Sequence, residues 1–156
     1  MHAKTPDLEP TESPLLAEAR LRAEMAQALA AAAPDGWARI RYECSTVGGV
    51  ADISAVAELL DGSSVAADIP PGLSLVRRRL RAAMYQADRG TWFSMVLTVR
   101  RDGAAEATYN YDDEPSWHVD VADREWLTEQ RKYPRSPDHR PDWLKRNLAR
   151  AGLTDE

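Results

Sequence analysis

The stretch YNYDDEPSW, residues 109–117, brings a strand, a cluster of acids and a proline together. Tyr109 and Tyr111 are two positions apart, so they point to one face of a strand. Pro115 cannot donate to a strand ladder and disfavours helix at the residue before it. We therefore predict that a strand ends here, at the rim of a sheet, in an acidic turn. The acids of this acid turn are Asp112, Asp113 and Glu114.

Two interpretations of the acid turn remain open from the residues. In the first, the clustered carboxylates form a partner-binding surface, and Trp117 is an aromatic anchor beside them. In the second, the acids are a solvated turn and Trp117 packs in the core, because a large amphipathic ring usually needs a pocket. Core packing is also the simpler interpretation of Trp126 and Trp143.

Alternation of apolar and polar residues predicts the strands on either side of this turn. Ile40, Tyr42 and Cys44 alternate with charged residues, as expected of a half-buried strand. Asp61-Gly62 is a hairpin signal before a short strand whose inner face holds Val65, Ala67 and Ile69. A second turn at Asp102-Gly103 makes the last two strands a hairpin. The predicted strands are residues 37–45, 51–59, 65–69, 92–100 and 104–111.

Helical periodicity and end signals predict four helices. The alanine-rich run from Pro14 to Ala33 forms the first, and Ser74 to Asp88 forms an amphipathic second helix with arginines on its outer face. A short helix follows with Asp120 as its cap. After the proline-rich connector the last helix begins at Pro141 and ends at Gly152 in a left-handed cap.

These elements predict one α+β domain, with an antiparallel sheet of about five strands covered by helices. The order is α-β-β-β-α-β-β-α-α. The chain of 156 residues is long enough for one core without metal or disulfide staples. Residues 1–13 are polar and contain two prolines, so we expect a disordered leader before a single domain over residues 14–153.

Charge is distributed in blocks of opposite sign, within a net charge of -5. Residues 72–101 contain seven arginines and one acid, whereas residues 102–130 contain nine acids and one arginine. An acidic block favours basic partners and repels nucleic acid, so we expect no direct nucleic-acid binding. The arginine-rich helix, Ser74 to Asp88, is expected to be solvated or paired with acids rather than to bind phosphate.

Catalytic and metal-binding motifs are missing from the sequence. It has no GxxxxGK[ST], GxGxxG, HExxH or GxSxG pattern. The acids of the acid turn diverge in an extended segment, so with His118 they make a poor metal site. We expect no catalytic residue, metal or cofactor. A small metal-dependent hydrolytic enzyme that uses Asp112 to Glu114 remains the alternative, and a module that binds an acidic partner through the arginine-rich helix is a third hypothesis.

Cysteine use and hydropathy predict the compartment. The single cysteine, Cys44, cannot form an internal disulfide and is most simply a small buried residue. No apolar run is long enough to span a bilayer, and the N-terminus lacks the apolar core of a signal peptide. We expect a soluble cytoplasmic protein without a membrane partner.

Several segments, taken in their order along the chain, resemble those of a known protein family. They comprise a helix before Trp37 and its strand, DIPP (68–71), LRAAMYQ (80–86), TWFSMVLTV (91–99), YNYDDEPSW (109–117) and YPRSPDHRPDWL (133–144). Together these resemble the YezG-like immunity proteins over nearly the whole domain, residues 15–148. The acid turn with its flanking tyrosines and the YPR...PDWL ending are the most distinctive parts.

The resemblance implies an antitoxin of bacterial polymorphic or secreted toxin systems. Such a protein binds a cognate toxin, often a nuclease, and blocks it inside the producing cell without catalysis of its own. Because a nuclease site must be basic to hold phosphate, clustered carboxylates on an inhibitor can imitate the substrate backbone. The partner-binding residues expected on this basis are Asp112, Asp113, Glu114 and Trp117. The arginine-rich helix departs from the acidic form common in the family and leaves the toxin's identity open.

Overall fold

A computed structural model describes residues 12–154 of the protein. It has the α+β architecture expected from the sequence, with one antiparallel sheet and four α-helices in this part of the chain. The elements are α1 (Pro14–Ala31), β1 (Trp37–Val47), β2 (Val50–Leu59), β3 (Ser64–Ala66), α2 (Leu73–Ala83), β4 (Ser94–Arg100), β5 (Ala105–Asn110), α3 (Asp123–Lys132), a 3-10 turn (Pro137–His139) and α4 (Asp142–Arg150).

The sheet has the strand order β3-β2-β1-β4-β5, with β1 at its centre. β1 and β2 form a hairpin through Gly48 and Gly49, and β4 and β5 form another. Cys44 in β1 lies opposite Ile53 of β2 and Met95 of β4, so this register puts three inward side chains side by side. The other face of the sheet carries mostly polar and charged side chains.

The helix-covered face of the sheet forms the main core. Ile40, Tyr42 and Leu97 are fully buried, which confirms the inward face predicted for β1 and shows that β4 buries the face that carries Leu97. α1 packs Leu21, Met25 and Leu29 into the same core. Small alanines in α1 let the helix approach the sheet closely, since Ala17 and Ala26 are also buried.

A second, aromatic core lies beyond the end of the sheet and fixes α3 and α4. Phe93 contacts Trp126 and Trp143, with ring centroids 6.3 and 5.2 Å apart, and the two tryptophans meet edge to face at 5.8 Å. Trp126 and Trp143 are buried, as predicted. Edge-to-face pairs of this kind add stability beyond the area that they bury.

The arginine-rich helix differs from its predicted form. α2 ends at Ala83 rather than Asp88, and Arg77 and Arg81 are buried, with 6% and 5% exposure, instead of lying on the outer face. They share a helix face with Leu73 and Leu80, and an arginine there can bury its aliphatic stem if its head finds a partner. The outer-face position predicted for Arg77 and Arg81 was therefore wrong, whereas the predicted pairing with an acid holds for Arg81, which meets Glu129 at 2.6 Å.

Three smaller predictions also fail. β3 is an edge strand of three residues, and Val65 and Ile69 are exposed rather than turned into the core, although Ala67 packs against it. The cap position of α3 is Ala122, not Asp120, and no side chain caps it. The proline-rich connector is not wholly extended, because Pro137–His139 forms a 3-10 turn.

The first and last helices are capped at their outer ends by residues suited to those positions. Ser13 caps α1, since its hydroxyl accepts a hydrogen bond from the Leu16 N–H at 3.2 Å. Residues 1–11 of the predicted leader lie outside the described residues. At the other end Gly152 is left-handed, with φ of 107°, and the Leu153 N–H donates to the Leu148 carbonyl at 2.8 Å. This is the predicted left-handed cap.

Candidate functional site

The acid turn is held in shape by its own hydrogen bonds. The Asn110 side chain donates to the Asp113 carbonyl and accepts from the Asp113 N–H, both at 2.8 Å. The Trp143 indole N–H donates to the Asp112 carbonyl at 2.8 Å, which joins the turn to α4. Because these bonds use backbone groups and neutral side chains, they leave the carboxylates of Asp113 and Glu114 available to a partner.

Arg135 binds the backbone beside the acid turn from inside the protein. Its guanidinium is buried and donates to the carbonyls of Tyr111, Thr91 and His139 at 2.6, 3.2 and 3.0 Å. It also contacts the Asp112 carboxylate at 3.2 Å, although that carboxylate is 78% exposed. Burial lowers the pKa of the Arg135 guanidinium, and the charge of Asp112 opposes this change. Asp112 is thus the one acid of the turn that this buried arginine anchors.

Beyond the turn, the chain crosses the open face of the sheet and encloses a cleft of about 710 Å³. Its floor is the outward side of β1, β2 and β4, and its wall is the segment from Glu114 to His118. The ionisable side chains that line it are Glu43, Asp52, Glu114 and His118. No lysine or arginine of the described chain lines this acidic cleft, but Arg41 pairs with Glu43 at 3.1 Å, so the net negative charge of the cleft comes from Asp52 and Glu114.

Asp52 and His118 close one end of the acidic cleft. The Asp52 carboxylate accepts from the His118 N–H at 2.5 Å, and the ring nitrogen Nδ1 lies 3.3 Å from the same oxygen. The Asp52 side chain is only 14% exposed, whereas the His118 ring is 85% exposed. The imidazole can therefore meet a ligand in the cleft while Asp52 fixes its position.

The structure separates the four residues predicted to bind a partner. Asp113 and Glu114 are exposed, and Glu114 lines the acidic cleft, while Asp112 turns toward Arg135. Trp117 is half-buried and meets Trp126 edge to face, with centroids 6.2 Å apart. Its ring therefore packs on the aromatic core, and only its exposed portion is available to a partner. The partner-binding role of all four residues remains a prediction.

Asp52 and Glu43 are site residues that no local motif in the sequence marks. Alternation placed both on the outward faces of their strands. His118 lies 66 positions after Asp52, however, and no local pattern reports a contact over that separation. Arg135 was missed for a similar reason, because a lone arginine between prolines gives no sign of burial.

The acidic residues do not converge as metal ligands do. Within residues 12–154, no group of three or more His, Cys, Asp or Glu side chains is placed to hold a metal ion. The same part of the chain has no helix that is long and apolar enough to cross a membrane. Comparison with protein-family models and with curated protein sequences finds no match for this chain.

Proposed function

We propose that the protein is an immunity protein that binds a toxin with a basic active surface, such as a nuclease, and blocks it without catalysis of its own. The observation that carries this proposal is the acidic cleft on the open face of the sheet. Its carboxylates come from β1, β2 and the acid turn; Glu43 is paired with Arg41 at 3.1 Å, so Asp52 and Glu114 carry the charge that the cleft offers. This surface is complementary to a site built to hold phosphate.

The rigidity of the acid turn supports a binding role. Backbone hydrogen bonds to Asn110 and Trp143 hold the turn before any partner arrives. A preorganised surface loses less conformational entropy on association, so more of the contact energy appears as affinity. Clustered exposed carboxylates also raise the association rate with a basic partner by electrostatic steering. Both effects suit an inhibitor that must capture a toxin quickly.

The positions of the acids favour binding over hydrolysis. Asp112 faces Arg135, whereas Glu114 faces the cleft, so the acid turn does not direct its carboxylates at one point. Asp52 and His118 are close, but His118 is almost fully exposed, and general acid–base catalysis is most effective where water is excluded. An extended acidic surface needs no such convergence to hold a basic protein.

Co-expression with the product of the neighbouring gene tests the proposal. We expect the two proteins to copurify at a one-to-one ratio, and the purified protein to abolish the toxin's activity when the ratio reaches one. Cells that make the toxin alone should stop growing, and cells that make both should grow. A purified protein that retains a metal after extensive dialysis and hydrolyses phosphate or peptide substrates by itself would instead support the alternative function, a metal-dependent hydrolytic enzyme.

A further inference from the structure

A second pocket, of about 430 Å³, lies on the helix side of the sheet, between α2, α3 and the β1–β2 turn. Its charge is opposite to that of the acidic cleft. Hydroxyls of Ser74, Thr128 and Tyr133 line it together with four basic side chains, and no carboxylate of the described chain does. The basic residues of this cationic pocket are Arg77, Arg78, Arg81 and Lys132.

Arg77 is the unusual member of the cationic pocket. The residue is 6% exposed, its buried Nη1 atom lies on the core side, and it makes no ion pair among residues 12–154. Inside the core it faces the Tyr42 hydroxyl and the Cys44 thiol, and burial raises the pKa of both groups, that of Cys44 to about 11. Both neighbours are therefore neutral at pH 7 and supply no negative charge. A buried cation without a counter-charge is costly unless a ligand compensates it.

The acids near the cationic pocket are already engaged. Both oxygens of Glu129 accept from Arg81, and one also accepts from the Gly48 N–H at 3.0 Å. Glu125 accepts from the Gly49 N–H at 2.9 Å. Only Arg81 is thereby neutralised. In the described part of the chain, no ion pair involves Arg77, Arg78 or Lys132.

We propose that the cationic pocket binds the phosphate or pyrophosphate group of a small molecule, with Arg77, Arg78 and Lys132 as its charged contacts. Guanidinium groups match the geometry of phosphate oxygens and form strong charge-assisted hydrogen bonds with them. The volume is within the range of small-ligand pockets. The site is independent of the acidic cleft, which lies on the opposite face of the sheet, and of the proposed toxin binding.

Titration of the full-length protein with inorganic phosphate and pyrophosphate tests this site. Calorimetry at constant ionic strength, with chloride as the replaced anion, should give saturable one-to-one binding of pyrophosphate. Arg78→Gln and Lys132→Gln should each weaken that binding by roughly tenfold. Arg79→Gln is the matched control, because Arg79 is exposed on the same helix but does not line the pocket. It should change the affinity by less than about twofold.

Arg77→Met separates a ligand-binding arginine from a structural one. Methionine keeps much of the buried stem but removes the charge, so we expect pyrophosphate binding to be lost while the unfolding midpoint of the free protein stays the same or rises. A lowered midpoint would assign Arg77 to folding rather than to binding. If that variant does not fold, Arg78→Gln and Lys132→Gln still decide the question.

Three results would overturn the proposal. One is a pyrophosphate response no larger than that of chloride at the same ionic strength. Another is an equal loss of affinity in Arg79→Gln and Arg78→Gln, because the binding would then follow net charge alone. The third is tighter binding of a short single-stranded oligonucleotide with a steep salt dependence, which would assign the basic residues to a polyanion.

Discussion

Arg81 and Glu129 form a buried ion pair in which two guanidinium nitrogens donate to the two carboxylate oxygens at 2.7 and 2.6 Å. Both side chains are about 95% buried, with 5% and 6% exposure. The Arg81 Nε also donates to the Trp92 carbonyl at 2.7 Å, and Glu129 accepts from the Gly48 N–H. This pair therefore joins α2, α3, the β1–β2 turn and the start of β4.

Loss of one member of this pair should be strongly destabilising. Glu129→Gln leaves the Arg81 charge buried without its counter-charge, and such changes lower the free energy of unfolding by about 3–5 kcal/mol. Urea unfolding of the free protein measures the effect. Glu106→Gln is the control, because its pair with Arg100 is exposed and 3.9 Å long, and pairs of this kind contribute about 1 kcal/mol or less. Equal losses in the two variants would contradict the structural role of the buried pair.

Gly90 is required by the position of Arg135. Its φ is +87°, and a Cβ there would lie 2.2 Å from Nε and 2.8 Å from Cγ of Arg135. Gly90→Ala should therefore lower the free energy of unfolding by more than the roughly 1–2 kcal/mol of left-handed strain alone. It should also speed amide hydrogen exchange in the acid turn, because Arg135 holds the Tyr111 carbonyl.

Gly103→Ala is the matched control for Gly90→Ala. Gly103 has φ of +95°, but nothing lies within 4 Å of a Cβ at that position. The two variants share the backbone strain and differ in the contact with Arg135. If they lose the same stability and leave exchange in the acid turn unchanged, Arg135 does not need the space at Gly90.

Elements with a regular apolar face are predictable from the sequence, whereas the burial of charged residues is not. β1 and β4 were recognised because each buries one face, which leaves a period of two in the residues. Arg77 and Arg81 occupy the inward face of α2, but a charged residue is normally expected in water. The partner that makes Arg81 an exception, Glu129, is 48 positions away. Periodicity within one helix cannot reveal that pairing.

Cys44 should make the stability of the protein depend on alkaline pH. The thiol is buried, and burial raises its pKa from the ordinary 9.0 to about 11. The folded state thus favours the neutral thiol, so this stabilisation is complete below pH 9 and is lost as the pH rises through about 11. The loss amounts to about 2–3 kcal/mol.

Urea unfolding between pH 8 and 11 checks this dependence, with Cys44→Ala as the reference. The variant keeps all five tyrosines, so their ionisation on unfolding is largely common to both curves and the difference between the curves reports mainly on the thiol. Cys44→Ala should be less stable at pH 8, because it loses buried atoms. The difference in the free energy of unfolding between the protein and Cys44→Ala should become smaller as the pH rises. Parallel curves would show that the thiol does not titrate differently on unfolding.

The candidate site was only partly accessible to sequence reasoning. The acid turn could be recognised because its three acids are adjacent and a proline ends the strand there. The acidic cleft could not, since Glu43, Asp52 and Glu114 come from three separate segments. Alternation puts Glu43 and Asp52 on the outward side of the sheet, but only the path of residues 114–118 across that face makes a cleft of them.

The acid turn should contribute charge to toxin binding but little to folding. The triple variant Asp112→Asn, Asp113→Asn, Glu114→Gln should remain folded, because Arg135 keeps its three backbone carbonyl acceptors when Asp112 is neutralised. An exposed partner such as Asp112 contributes about 1 kcal/mol or less. Binding to the copurifying toxin should weaken mainly through a slower association rate, and the difference should shrink as salt rises.

A second triple variant distinguishes the location of the charges from their number. Glu24→Gln, Asp35→Asn and Asp68→Asn neutralise three exposed acids that do not line the acidic cleft, so the net charge changes equally. Association rates of both variants are measured at two ionic strengths, beside thermal unfolding of the free proteins. We expect the acid-turn variant to associate more slowly than the control at low salt. Faster dissociation instead would place the acids at the buried centre of the interface, because pairs removed there leave a partner charge unpaired. Equal rates for the two variants would remove the acid turn from the interface and leave Glu43 and Asp52 as the next acids to replace.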